Sequence, residues 1–256
     1  MPLGFRDPIR MRTFKPDSRF SRLTMEFFVI VAGVLAALAV DQWRESRQEL
    51  GFERELLHSL SFDVATDSTD FAILPRRALG RALAAETLLR EFRPDAPRGV
   101  DALVALDTLG PFPAASDSAL VEALAVLVIM SDLDVASGAY TEFSAGGGQR
   151  LIRNRELRRR IHEYHYYIEA NLKYDPVVFA AIDETNRRAH DIGLSAGDAD
   201  ASSIRRRLAA PDADAFFAAV RTLQAVSVVQ NDIGWLMINR ARSLLKAIHS
   251  ELGATS

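Results

Sequence analysis

LTMEFFVIVAGVLAALAVDQW, residues 23–43, is the only stretch of the chain that reads more naturally in lipid than in water. Its centre, residues 27–40, is fourteen apolar residues without interruption. At 1.5 Å per residue these cover about 21 Å, short of the roughly 30 Å hydrocarbon core of a bilayer. The flanks make up the difference. Extended to Leu23 and Trp43 the segment has 21 residues and reaches about 31 Å, with Glu26 one turn inside the end and able to snorkel to the interface. Trp43 then falls in the opposite interfacial belt. The expectation is a single membrane-spanning helix contacting the lipid bilayer through residues 23–43. Two alternatives stay open. Ala37-Leu38-Ala39 matches the small-x-small pattern of a signal-peptide cleavage site, and a buried helix of a soluble protein has a similar composition.

Upstream, residues 1–22 carry Arg6, Arg10, Arg12, Lys15, Arg19 and Arg22 against Asp7 and Asp17, while Pro2, Pro8 and Pro16 disfavour a stable helix. This reads as a flexible basic tail. Lys/Arg in excess on that side places it in the cytoplasm, so residues 44–256 lie outside the membrane, periplasmic in a Gram-negative bacterium. Gly33 and Ala37, like Ala32 and Ala36, are four apart, which gives the anchor a face small enough for a homodimer contact.

Downstream the helix is expected to continue as a stalk. Trp43, Leu50, Leu57 and Val64 fall at seven-residue spacing with Leu60 at the three-residue offset. Phe52, Leu56 and Phe62 widen the stripe beyond a two-stranded seam, so its partner is expected to be the chain's own later helices. Asp67, Ser68, Thr69 and Asp70 read as turn or capping residues.

At the other end, residues 212–252 form a helix of roughly 60 Å by rise. Phe216, Val220, Leu223, Val226 or Ser227, Gln230, Ile233 or Gly234, Met237, Ala241, Leu244 and Ile248 trace a nearly continuous face. Only an antiparallel bundle of comparably long helices buries such a face. Asn231, Asp232 and Trp235 interrupt the centre as candidates for a small polar site. Between the two ends, helices are expected at residues 74–92, 100–109, 120–130 and 139–145, from Asn154 onward, and at 177–190 and 204–210. Asp175-Pro176 marks a break, and residues 194–203 a surface loop. Strand alternation and hairpin turns are scarce. The class is therefore all-α: a transmembrane helix continuing into a stalk, then an elongated antiparallel helical bundle.

Composition narrows function by exclusion. A formal charge of -3 gives no basic footprint, so nucleic acid is not an expected partner. With no cysteine in the chain, disulfides, thiolate metal sites and cysteine nucleophiles are ruled out. Gly146-Gly147-Gly148 lacks the Lys-Ser/Thr that completes a phosphate loop and reads as a helix end. No cofactor is indicated.

Two clusters carry candidate chemistry. Arg150, Arg153, Arg155, Arg158, Arg159 and Arg160 fall within eleven residues, a face suited to an anionic headgroup or an acidic protein partner, or else solvated and paired with nearby carboxylates. On the same helix His162, His165 and Glu169 stand at i, i+3 and i+7, weak candidates for a metal or carboxylate–histidine site, with Asp232 as a possible fourth member. Aromatic-rich stripes of this kind also pack simply against neighbours.

Three passages together, FFVIVAGVLAALAVDQWRESRQE, ERELLHSLSFDVATD and AYTEFSAGGGQRLIRNRELRRRIHEYHYYI, resemble an uncharacterised family of bacterial membrane proteins. The resemblance covers most of residues 23–170 and is strongest at Tyr140, Glu142, Gly146, Leu151, Ile152, Asn154, Leu157, Arg158 and Tyr164. It implies one N-terminal anchor in the bacterial inner membrane, a helical extracytoplasmic domain, and no assigned activity. Ala145-Gly146 followed by two further glycines departs from the Ser-Gly pair usual at that place. The function expected is that of a structural or protein-interaction module, with an enzyme or metal-binding protein as the alternative.

Overall fold

The structure, a computed structural model, describes residues 18–95, 115–128, 135–145 and 147–254. Residues 1–17 of the basic tail, the expected helix at 100–109, the 110–113 loop, Met130, Asp132 and Gly146 lie outside the described residues. All regular structure among the described residues is helical, so the protein is all-α. The chain divides into two units, residues 1–52 and 53–256.

In the first unit the described residues form one helix. Helix α1, Ser18–Phe71, begins here, so residues 18–22 are helical rather than part of a flexible tail. Its apolar side chains face outward: Phe28, Ile30 and Leu38 are 64%, 66% and 60% exposed. Among the described residues this is the one helix long and apolar enough to cross a membrane. At its far end the Arg47 guanidinium lies 5.4 Å from the Trp43 ring centroid, an amphipathic pair of the kind interfacial belts contain.

The second unit buries its apolar side chains. From residue 53, α1 carries Leu56, Leu57, Leu60 and Val64 into the core, part of the stripe expected from their spacing, whereas Trp43, Phe52 and Phe62, expected to share it, are 63%, 59% and 73% exposed. The residues read as a turn are not one. Asp67 to Asp70 are helical, Thr66 and Thr69 hydroxyls donate to the Phe62 and Ala65 carbonyls within the helix, and α1 ends only at Phe71. Ala72 keeps helical dihedrals (φ -67, ψ -21) before α2, Ile73–Phe92, begins. The interruption is the footprint of Pro75, which lacks an N–H and whose ring opposes the carbonyl four residues back. The direction of the chain is preserved through it.

The remaining elements are α3, Asp117–Leu127; α4, Gly138–Ala145; α5, Gly148–Leu151; α6, Arg155–Leu172; α7, Asp175–Asp191; α8, Ala201–Leu208; a 3₁₀ turn, Pro211–Ala213; and α9, Asp214–Ala254. Ser116 caps α3 through Ala119 N, Asp200 caps α8 through Ser202 N, and Pro176 sits in the first turn of α7, where its missing N–H is harmless.

Helix α9 is the spine. Arg93 pairs with Asp214, Glu86 with Gln224, Arg81 with Gln230, and Pro75 lies against Gly234, so α2 runs antiparallel to α9. The same reversal holds for α7, where the preceding Tyr174 hydroxyl donates to Val226 O and Ala181 and Arg188 share a groove with Ala215 and Thr222, and for α6, where the capping Asn154 and Asn171 meet Glu251 and Met237. Two apolar clusters form along the spine. One joins α2, α3, α7 and α8 to Phe216, Phe217, Val220 and Leu223; the other joins α1, α4 and α6 to Met237, Ala241, Leu244 and Ile248. At roughly 1.5–3 kcal/mol per fully buried large apolar side chain, these two clusters hold the unit together.

Candidate functional site

Helix α6 begins at a capped end. Asn154 Oδ1 accepts from Glu156 N at 3.0 Å and Leu157 N at 3.1 Å, satisfying two of the free donors of the first turn. Its Nδ2 donates to Glu251 Oε2 at 2.7 Å, which ties the start of α6 to the end of α9.

The six arginines of this region divide by use. Arg159 donates twice to Glu156, at 2.6 and 2.9 Å, and also to Glu163, while Arg160 donates to Glu156 at 3.0 Å. Hydrogen bonds from both arginines hold the Glu156 carboxyl down at about 2, and the same contacts push Arg159 up. These pairs are solvated and lie along one helix, so they order the face without contributing much stability. Arg158 turns back to donate to the Gln149 and Ile152 carbonyls at 3.2 and 2.9 Å, closing the α5–α6 junction. The Arg153 backbone N donates to Glu53 Oε1 at 2.8 Å. Arg150 and Arg155 are exposed and have no ion pair among the described residues.

One and two turns further on, the histidines enter an aromatic cluster. The Tyr140 ring stacks on His165 with centroids 3.6 Å apart and planes 16° apart, and the Tyr140 hydroxyl is 3.3 Å from His162 Nδ1. Tyr164 and Phe143 meet His165 and His162 at 5.1 and 4.9 Å. His165 is 4% exposed and its Nε2 has no partner among the described residues. Burial, with His162 nearby, pushes it down to about 4, so it is neutral at physiological pH. Glu169 is exposed, and its charge together with burial raises the Tyr140 hydroxyl. Among the described residues no three His, Asp or Glu side chains are grouped to hold a metal ion, so His162, His165 and Glu169 do not assemble one with each other or with Asp232, which is exposed and bonded to Asn231.

Behind this face, three carboxylates of α1 hold the segment that leads into α6. Asp67 Oδ1 accepts from Ala136 N and Asp63 Oδ2 from Ala139 N, both at 2.9 Å, and Glu53 accepts from Arg153 N. Each takes a backbone donor that has no place in a helix ladder. Asp67 Oδ2 also accepts from the Tyr164 hydroxyl at 2.8 Å; burial raises the Asp67 carboxyl and pushes the Tyr164 phenol well up.

A second polar feature crosses the bundle where the two apolar clusters meet. Arg81, fully buried on α2, donates to Gln230 Oε1 and lies 3.4 Å from Ser227 Oγ; Gln224 Nε2 donates to Glu86 Oε2 at 2.7 Å. Burial and neighbouring Arg77 lower Arg81 to about 10, which leaves it charged at neutral pH. Polar residues were expected at this level, but at Asn231, Asp232 and Trp235. Those sit on the outer side of α9; the buried set is Gln224, Ser227 and Gln230, three residues apart on the inner face. A polar residue at every third place within an apolar stripe is the signal that marks them. Nothing local marks Arg81, whose burial depends on that facing helix.

Between α6 and α9 lies an open cavity of about 210 Å³ lined by Arg159, Arg160, Glu163, Tyr164, Arg240, Ser243 and Leu244. No family model, no curated protein and no solved structure matches the chain.

Proposed function

We propose that the protein is a single-pass bacterial inner-membrane protein whose residues 44–256 lie outside the cytoplasm and act as a structural or protein-interaction module. The observation that carries this reading is the contrast between the two units. One exposes the large apolar side chains described between Met25 and Val40, Val31 alone among them being half-buried, and the other buries most of its own in two clusters. Exposed apolar surface on that scale needs lipid or a partner. The interaction role is supported by the outer surface of the second unit, where Phe62, Tyr166 and Trp235 are 73%, 67% and 51% exposed and Arg150 and Arg155 extend into solvent. Aromatic and arginine side chains are those enriched at protein interfaces. The partner is another membrane or extracytoplasmic protein, or a second copy of this chain.

Site-specific photocrosslinking in native membranes tests the reading. A photoreactive residue at Arg150, Arg155 or Tyr166 is expected to give one adduct of defined mass that a control at exposed Asp183 does not give. Identical smears at all positions, or no adduct at any, would refute the interaction role.

A further inference from the structure

We propose that the cavity between α6 and α9 is an anion site that takes a phosphate group, with Arg240 as its anchor. Three arginines, Arg159, Arg160 and Arg240, line it together with Ser243 and Tyr164. Arg159 and Arg160 are held in place by Glu156 and Glu163, so their charges are already balanced. Arg240 is different. Its guanidinium carbon lies 3.4 Å from the centroid of the Tyr167 ring, a stack that fixes the plane of the fork. Its Nε is closed off from solvent and has no acceptor among the described residues. It has no carboxylate partner there either. The site thus carries one positive charge in excess, on a side chain already ordered and partly desolvated.

A guanidinium fork in a fixed plane matches two oxygens of a phosphate, which is why arginine recurs where phosphate is recognised. Ser243, three residues beyond Arg240 on the same helix, adds a hydroxyl donor to the same wall. Glu163 also faces the cavity and opposes an anion; its ion pair with Arg159 offsets that opposition. The volume, about 210 Å³, is below the roughly 300–1,000 Å³ of sites for drug-sized ligands and leaves room for a phosphate group.

Calorimetric titration of the full chain in zwitterionic detergent, in phosphate-free buffer, tests this with two probes: inorganic phosphate, and dihexanoyl phosphatidic acid against dihexanoyl phosphatidylcholine. Saturable binding of inorganic phosphate, weakened at least tenfold by Arg240→Gln, supports a free anion as the source. Binding confined to the phosphatidic acid and lost in Arg240→Gln supports a lipid headgroup. Glu163→Gln, which removes the opposing carboxylate, is expected to tighten either ligand several-fold and serves as the reading should Arg240→Gln fail to fold. Neither probe binding, or both variants binding as the parent does, overturns the proposal.

Discussion

The hydroxyl of Tyr164 donates to Oδ2 of Asp67 at 2.8 Å, joining α6 to α1 across the second apolar cluster. The other oxygen of the same carboxylate takes Ala136 N, so one side chain fixes a helix pair and the connector beside it. Tyr164→Phe keeps the ring and removes the donor, leaving a buried carboxylate oxygen without that partner. The expected loss is about 1–3 kcal/mol. Urea unfolding followed by circular dichroism, on residues 44–256 expressed alone, measures it. That fragment retains both apolar clusters and is expected to be soluble and helical.

His165 makes stability depend on pH. Its folded pKa, about 4, lies below the ordinary 6.5, so its contribution is complete above pH 6.5 and is lost as pH falls toward 4, where the unfolded chain binds the extra proton. The window spans at most about 3 kcal/mol. Asp67, whose carboxyl is raised, works in the opposite sense, favouring the folded state below 3.8 and less as pH rises through its folded value. His165→Phe retains a ring against Tyr140 and cannot titrate. Between pH 7 and 4.5 the parent is expected to lose about 2 kcal/mol more than this variant; parallel stability profiles would contradict the assignment.

Gly234 is a contact glycine. A Cβ there would stand 2.7 Å from Pro75 Cδ and 3.1 Å from Pro75 N, and the proline ring has no rotamer by which to move away. Gly234→Ala is expected to destabilise by about 1–3 kcal/mol through overpacking. Gly51, in a helix with no described atom within 4 Å of the added carbon, is the control. Gly51→Ala is expected to be neutral or to stabilise by up to about 1 kcal/mol. Thermal melts of the two variants side by side decide it.

The buried Arg81 layer sets the register of α2 against α9. Gln230→Leu removes an acceptor from a charged, desolvated guanidinium and is expected to cost about 1.5–3 kcal/mol, the range for hydrogen bonds to charged groups. Arg81→Met combined with Gln230→Leu is expected to recover part of that loss, because no guanidinium is then left buried without its Gln230 acceptor. Denaturant midpoints of the single and double variants are the check; a double variant that falls by the sum of the singles would mean the two residues are not coupled.

What the sequence disclosed and what it hid follow one division. The buried part of the α1 seam and the α9 stripe were legible because each is set by neighbours within one or two turns. Asp67 was misread for the same reason. Asp-Ser-Thr-Asp resembles a turn locally, yet the partners that keep Asp67 inside a helix, Ala136 N and Tyr164, lie 69 and 97 residues away. Arg81 and Arg240 were silent because an arginine within a helical pattern looks the same whether it faces water, a glutamine or an aromatic ring. The arginine run of 150–160 was visible as charge, but its division into paired Arg159 and Arg160, junction-closing Arg158 and unpaired Arg150 and Arg155 depended on where Glu156 and Glu163 point.

The central claim is that residues 23–43 anchor an exported helical bundle. Alkaline phosphatase fused after residue 70, expressed in a Gram-negative host and followed through carbonate washing of the membranes, tests it most directly. Active enzyme that remains in the washed membrane is the expected result. Inactive enzyme would reverse the topology, and active enzyme released into the soluble fraction would show that the segment is cleaved rather than retained.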